Sequence, residues 1–414
     1  MPILRADPEP GVEFTARTPV VAAACLYVAT VPFDLFAVFG GRTATVPAAG
    51  LLFFLWLLDL IQTRRRTITA SRVGLPLYLY CVWCLVTGLW SVSPDGTLLN
   101  WTSLALQVVT AFVLADALGD HWRAALWTTV YSSAVLACIL LTNPLNESRG
   151  GRGSVGGADE NITAFVLCIG VAAAIYLMLD SRGLLRPVVA GLLAAVSSAG
   201  VIYTGSRTGF LSLVGIMLVG ALLMRRRANI SRRLLMIAGA FLAFPLFSSM
   251  GLVPERLSSV WTDTVSGQDA GRGDIIAMYR AHFSEWAWSG VGYGADADFL
   301  LRVAGEYKNA HSMFWKTWIE LGITGLVLLT LVILAILYRG RGSPTRGATS
   351  LMLAPVALFA ITLGGQTSPS LWFVVALALV RSTHVDARQS AAAVTAARRS
   401  RVRPSVNSAA IAKD

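Results

Sequence analysis

Charge is what this 414-residue chain has least of. Only 14% of its residues are Asp, Glu, Lys or Arg, against about 25% in a water-soluble domain. That share cannot cover the surface of the two or three soluble domains the length would allow. Intrinsic disorder is excluded as well, since 55% of the residues are hydrophobic and mean hydropathy is +0.63. Acidic residues are scarcer than basic ones, 23 against 34, leaving a net charge of +11. Nucleic acid is one partner such a charge suggests, but a cytoplasmic excess of Arg in a membrane protein accounts for it more simply. Cysteines are few: Cys25, Cys81, Cys84, Cys138 and Cys168 all sit in apolar runs. Cys81 and Cys84 form a C-x-x-C with no second pair or nearby His to complete a zinc set, so membrane packing is expected of them. Met1 to Arg17 is polar, contains Pro and lacks the apolar core of a signal peptide, so the first apolar run is expected to stay as an anchor.

What is present is apolar sequence in membrane-sized pieces. A bilayer core takes about 20 apolar residues per helix, and twelve such runs lie between Pro19 and Ser382. Among them are Asn161–Asp180, Gly209–Met224, Leu234–Gly251 and Phe314–Tyr338. The last two, Thr349–Gly364 and Pro369–Ser382, are short, and Pro355 interrupts the first of these. The expected fold is an all-α polytopic integral membrane protein of about twelve spans. It has a cytoplasmic N-terminus at 1–18, a transmembrane domain at 19–385 and a basic, disordered cytoplasmic tail at 386–414. With the N-terminus placed inside, 24 of the 34 Lys and Arg fall on the cytoplasmic side, so the net charge reads as a topology signal.

Polar chemistry is concentrated in three segments, all placed on the outer face by this topology. They are the glycine-rich loop Asn143–Glu160, the turn Tyr203–Gly209 and a long loop, Leu252–Met313, too long for a mere connector. Arg207 sits in the turn where a helix begins. A guanidinium fork suits phosphate oxygens, and a helix N-terminus adds positive potential; a lipid-headgroup anchor or a loop salt bridge is the alternative. Arg149 and Arg152 lie in the glycine-rich loop, where they either fold over a ligand or remain solvated. In the long loop, Arg272 to Phe283 reads as an amphipathic helix that is apolar at Ile275, Ile276 and Tyr279 and carries Arg280. Trp286 and Trp288 then read as an interfacial pair above a tight turn at Gly290-Val-Gly-Tyr-Gly294. No soluble βαβ unit precedes those glycines, which excludes a dinucleotide fingerprint. His311 stands where the next apolar helix begins. A neutral imidazole there can take a proton from a hydroxyl, although a lone interfacial His is commonly structural. Asp34, Asp59 and Asp116 are the acids within apolar runs, each near a predicted end; a proton-coupled transporter usually carries several ionisable groups at the midplane.

Ser206-Arg207-Thr208-Gly209, the G-V-G-Y-G turn and A-H-S-M-F-W-K-T-W-I-E-L-G-I-T-G, from Ala310 to Gly325, together resemble the O-antigen ligase / Wzy-type polymerase superfamily. The resemblance runs from about Arg149 to Gly325. It departs at Ser312, where the family usually has Asn. It implies a polytopic glycosyltransferase of the GT-C type that uses no cofactor, metal or nucleotide sugar. Its donor would be a glycan on a polyprenyl diphosphate at the outer face of the cytoplasmic membrane. Its acceptor would be a hydroxyl of a glycan, a lipid or a protein, with membrane lipids as surroundings and no nucleic acid involved. Under that reading His311 is the base, Arg207 and Arg280 hold the diphosphate with Arg152 third, and Arg149, Asn161, Glu320 and Ser312 are further candidate substrate contacts. A polyprenyl-linked glycan flippase or transporter, and a non-catalytic envelope scaffold, are the competing readings.

Overall fold

The computed structural model describes residues 18–34, 36–39, 42–63, 74–142, 159–181, 183–223, 272–340, 343–363 and 368–380. The N-terminal segment 1–17, Arg149 and Arg152, the run Leu234–Gly251, the first part of the long loop (252–271) and the tail 386–414 lie outside the described residues.

Within them the chain is helical apart from a two-stranded antiparallel ribbon, β1 (Ala37–Phe39) with β2 (Arg42–Thr43). The ribbon joins α1 (Thr18–Thr30) to α2 (Thr45–Thr63), and α3 (Gly74–Val86), α4 (Pro94–Leu118) and α5 (Trp122–Thr142) follow. Next come α6 (Glu160–Asp180), α7 (Leu185–Tyr203) and α8 (Arg207–Leu223). A small cap is formed by α9 (Arg272–Ala281), α10 (Phe283–Trp286) and α11 (Asp296–Ala304). The chain then returns through α12 (Met313–Gly340), α13 (Arg346–Thr362) and α14 (Pro369–Leu379). Five helical stretches are long and apolar enough to cross a membrane: Thr45–Thr63, Pro94–Thr142, Glu160–Asp180, Leu185–Tyr203 and Met313–Tyr338. The second comprises α4 and α5, parted at Gly119, whose φ is positive. Shorter apolar helices, α1, α3, α8, α13 and α14, accompany them. Pro355 lies inside α13 without ending it.

α6 is apolar all round and nearly all buried, as such a helix must be. It packs against α5, α7, α8 and α13. Small residues let these helices approach. A side chain at Gly170 would run into Ser133, one at Gly200 into Ala137, and one at Gly209 into Ala164. In lipid, where apolar burial alone does not bring helices together, such close packing supplies the attraction.

Side-chain contacts fix which helix ends lie together. Arg123 and Asp180 pair at 3.0 Å at one end. At the same end Ser343 bonds the Val380 carbonyl (3.0 Å) and Gly347 packs on Tyr176. At the other end Ser206 meets Asn161, and the rings of Phe165 and Phe359 stand 5.1 Å apart. The acids in apolar runs have local partners. Asp34 accepts hydrogen bonds from Thr43 and Thr45, and Asp116 from the Trp56 indole (2.9 Å). This employment close to the helix ends does not favour the transporter reading, which needs ionisable groups lining a passage.

The cap has a core of its own, built on Ile275, Tyr279, Trp286, Phe299, Leu300 and Ile319. The two tryptophans expected as an interfacial pair part company: Trp286 is fully buried and Trp288 is 77% exposed. Trp286 ends α10, and its indole donates to the Tyr279 carbonyl (2.8 Å), turning the ring inward. Trp288 falls in the turn beyond.

Candidate active site

The cap is joined to the bundle where α12 breaks. Gly322 has φ +66, a left-handed value that an L side chain resists. A break strands backbone groups that a continuous helix would pair. Each of four such groups finds a partner elsewhere. The Ile319 carbonyl accepts from Val291 N–H (3.0 Å), and the Glu320 carbonyl from Gly292 N–H (3.0 Å). The Leu321 carbonyl takes the Trp83 indole (2.9 Å), and Ile323 N–H donates to the Ala287 carbonyl (3.1 Å). The Gly-Val-Gly-Tyr-Gly turn thus lies edge-on against the break. Gly290, φ +74, comes so close that a Cβ there would overlap the Glu320 carbonyl, and one at Gly322 would overlap the Trp288 carbonyl. These two motifs are the two sides of one backbone joint.

Inside the joint lies an ion cluster, two of whose three members, Lys316 and Glu320, belong to the Ala310–Gly325 stretch. Lys316 Nζ is 3.0 Å from Asp296 Oδ1 and 3.2 Å from Glu320 Oε1. Asp296 Oδ2 accepts the Ala310 N–H (2.8 Å). Asp296 and Glu320 are both fully buried. Glu320, expected to touch substrate, therefore has a place in the interior, facing Lys316 one helical turn away, and it does not line the neighbouring cavity. The i, i+4 spacing of Lys316 and Glu320 was readable from the sequence. Asp296, twenty residues earlier, offered no spacing to notice.

Beside the cluster, a cavity of about 370 Å³ opens between α9 and the start of α12. His311 and Ser312 form its lip, Tyr279, Phe314 and Trp315 its walls, and Ile361 at the end of α13 closes it. His311 is exposed there. The Ser312 carbonyl accepts from Lys316 N–H (2.8 Å), so Ser312 sits at the first turn of α12. The Tyr279 hydroxyl is shared between the carbonyls of Asp296 (3.0 Å) and Lys308 (3.2 Å). Burial pushes the ionisation of that phenol well up, and the carboxylates of Asp296 and Glu320 push it further, so Tyr279 serves as a neutral donor. Arg280 lies with its guanidinium 5.7 Å from the centre of the Trp315 ring, a cation–π distance. Trp315 thereby carries Arg280 on its ring and also lines the His311 cavity.

Arg207 is reached from the other side. Ser206 caps α8: its hydroxyl accepts the Gly209 N–H (3.1 Å) and donates to Asn161 Oδ1 (2.7 Å). This makes Arg207, half-buried, the first residue of α8, two positions earlier than the apolar run suggests. Asn161 is itself fixed, its N–H bonded to Asp159 at the cap of α6 (2.7 Å). The Ser206 turn and the His311 cavity stand at the same end of the bundle. α13 links them, packing on α8 through Leu358 beside Gly215, on α6 through Phe359, and reaching the cavity with Ile361. A second, apolar cavity of about 500 Å³ runs along α12 from Met313 and Phe314 to Arg346 at the opposite end. Phe314 lines both cavities.

The match to known families falls on this same architecture. Residues 190–330 match the family model described as O-antigen ligase. The O-antigen ligase stretch covers about a third of the chain and takes in most of α7, all of α8, the cap, and α12 as far as Thr330. The resemblance to the O-antigen ligase / Wzy-type superfamily read from the sequence is borne out over that stretch, and the apolar helices around it are those of a multi-pass membrane protein. No curated protein matches the chain.

Proposed function

We propose that the protein transfers or polymerises glycan from a polyprenyl-diphosphate-linked donor to an acceptor hydroxyl at the outer face of the cytoplasmic membrane, with both termini inside. One observation carries the reading: the O-antigen ligase stretch takes in both the capped turn that presents Arg207 and, Ile361 apart, the His311 cavity, whose Trp315 wall carries Arg280. In the proposed step the acceptor O–H gives its proton to the His311 imidazole. Its oxygen bonds the anomeric carbon as the bond from that carbon to the diphosphate oxygen breaks. The electron pair leaves on the diphosphate, and displacement at one centre inverts its configuration. Charge grows on the leaving group, and Arg207 and Arg280 stabilise it, with Arg152 and Arg149 as further contacts from the glycine-rich loop. Asn161 holds the Ser206 turn in register, and Ser312 stands at the acceptor side of His311. The 500 Å³ cavity, continuous in its lining with the His311 cavity through Phe314, suits the polyprenyl tail. The step needs no metal or nucleotide.

The test uses the purified full chain, polyprenyl-diphosphate-linked oligosaccharide and release of the lipid carrier as readout. His311→Ala is expected to lower the rate by about 10²–10⁴-fold and Arg207→Ala by about 10²–10³-fold, with unchanged amounts of folded protein. Wild-type release from both variants would overturn the assignment.

A further inference from the structure

Asp296 belongs to no motif and lies in the cap, away from the Arg207 turn, yet it holds the chain on both sides of His311. Its side chain is wholly buried. Oδ2 accepts the N–H of Ala310, the residue immediately before His311, at 2.8 Å. Oδ1 takes the ammonium of Lys316, one turn into the helix that follows, at 3.0 Å. Its backbone carbonyl accepts the Tyr279 hydroxyl, which also reaches the Lys308 carbonyl three residues before His311. One residue therefore fixes the approach to His311, its departure and one wall of its cavity. We infer that Asp296 is a positioning residue for His311, setting where the imidazole meets the acceptor hydroxyl; this rests on the reading of His311 given above.

The chemistry supports a role in positioning over one in folding. Lys316 has a second carboxylate, Glu320, at 3.2 Å. Removing the Asp296 charge leaves Lys316 and Glu320 as a one-to-one pair, so no uncompensated buried ion results. What is lost is the side-chain hold on the Ala310 N–H, next to His311, and a displacement of about 1 Å at a catalytic group costs on the order of 10²-fold in rate.

The experiment compares wild type, Asp296→Ala, Asp296→Asn, His311→Ala and the double variant Asp296→Asn/His311→Ala in the carrier-release assay, with polyprenyl-diphosphate-linked oligosaccharide as probe. Asp296→Ala is expected to lose about 10²-fold in kcat with donor KM nearly unchanged. Asp296→Asn keeps an oxygen for the Ala310 N–H and is expected to lose roughly tenfold. In the His311→Ala background, adding Asp296→Asn should leave the residual rate nearly unchanged, because a residue acting through His311 has nothing left to position. Wild-type kcat in Asp296→Asn overturns the inference. So does a loss from Asp296→Asn that recurs in full without His311, which would mark a structural role. If Asp296→Ala fails to fold, the Asn variant and the double variant decide. Full activity in His311→Ala would sink the catalytic reading itself and the inference with it. Loss in His311→Ala beside unchanged Asp296 variants sinks the inference alone.

Discussion

Between α5, α6, α7 and α8, the contacts are made by Gly170 on Ser133, Gly200 on Ala137 and Gly209 on Ala164. In the cap, the contacts are aromatic: Trp286 meets Phe283 at 5.1 Å and Trp318 at 5.5 Å, and Trp315 stacks on Trp318 at 5.6 Å. The contrast follows from what each region has to pack. Long apolar helices gain little by exchanging lipid for protein contacts, so they rely on close backbone approach. Short helices have little backbone to press together and gain by enclosing large aromatic rings. Where the cap meets α12, one ammonium, Lys316, is held between two buried carboxylates, Asp296 and Glu320.

Three substitutions sharpen the contrast, each read as thermal or denaturant unfolding of the purified chain in detergent. The joint between the two regions should be the most sensitive. Gly290→Ala puts a Cβ into the Glu320 carbonyl at a left-handed φ, where neither backbone can yield, and is expected to cost more than about 5 kcal/mol and leave no folded monomer. Near-normal yield of this variant would show that the turn and the break are not locked together. Next is the cap core. Trp286→Ala removes its most enclosed ring and is expected to cost about 3–5 kcal/mol, while the unfolding of the bundle changes less than that of the cap, a difference visible as hydrogen exchange confined to 272–321. Smallest is the bundle: Gly200→Val presses on Ala137 and Leu167 and is expected to cost about 1–3 kcal/mol. A larger penalty here than at Trp286 would reverse the comparison.

The sequence showed the bundle clearly, because a run of apolar residues long enough to cross a bilayer leaves few alternatives. α9 was legible too, through Ile275 and Tyr279 on one face. The turn at Arg207 was recognised for its charge, but its cap was not: Ser206 reaches both Gly209 and Asn161, and the second partner is forty-five residues distant. The cap resisted reading for the same reason. Its order comes from pairings far apart in the chain, Trp83 with Leu321 and Asp296 with Ala310 and Lys316. Trp286 and Trp288 look alike on paper, and only the end of α10 between them separates core from surface.

The interruption at Gly322 has a consequence for how the molecule comes together. Three carbonyls and one N–H within the apolar stretch Met313–Tyr338 are answered by Val291, Gly292, Trp83 and Ala287, and an unanswered peptide group in lipid costs several kcal/mol. α12 can therefore settle into its bent form only when the preceding loop has already arrived. Bending of α12 and docking of the cap are then one event, and the same step sets where His311 stands at the entrance of that helix.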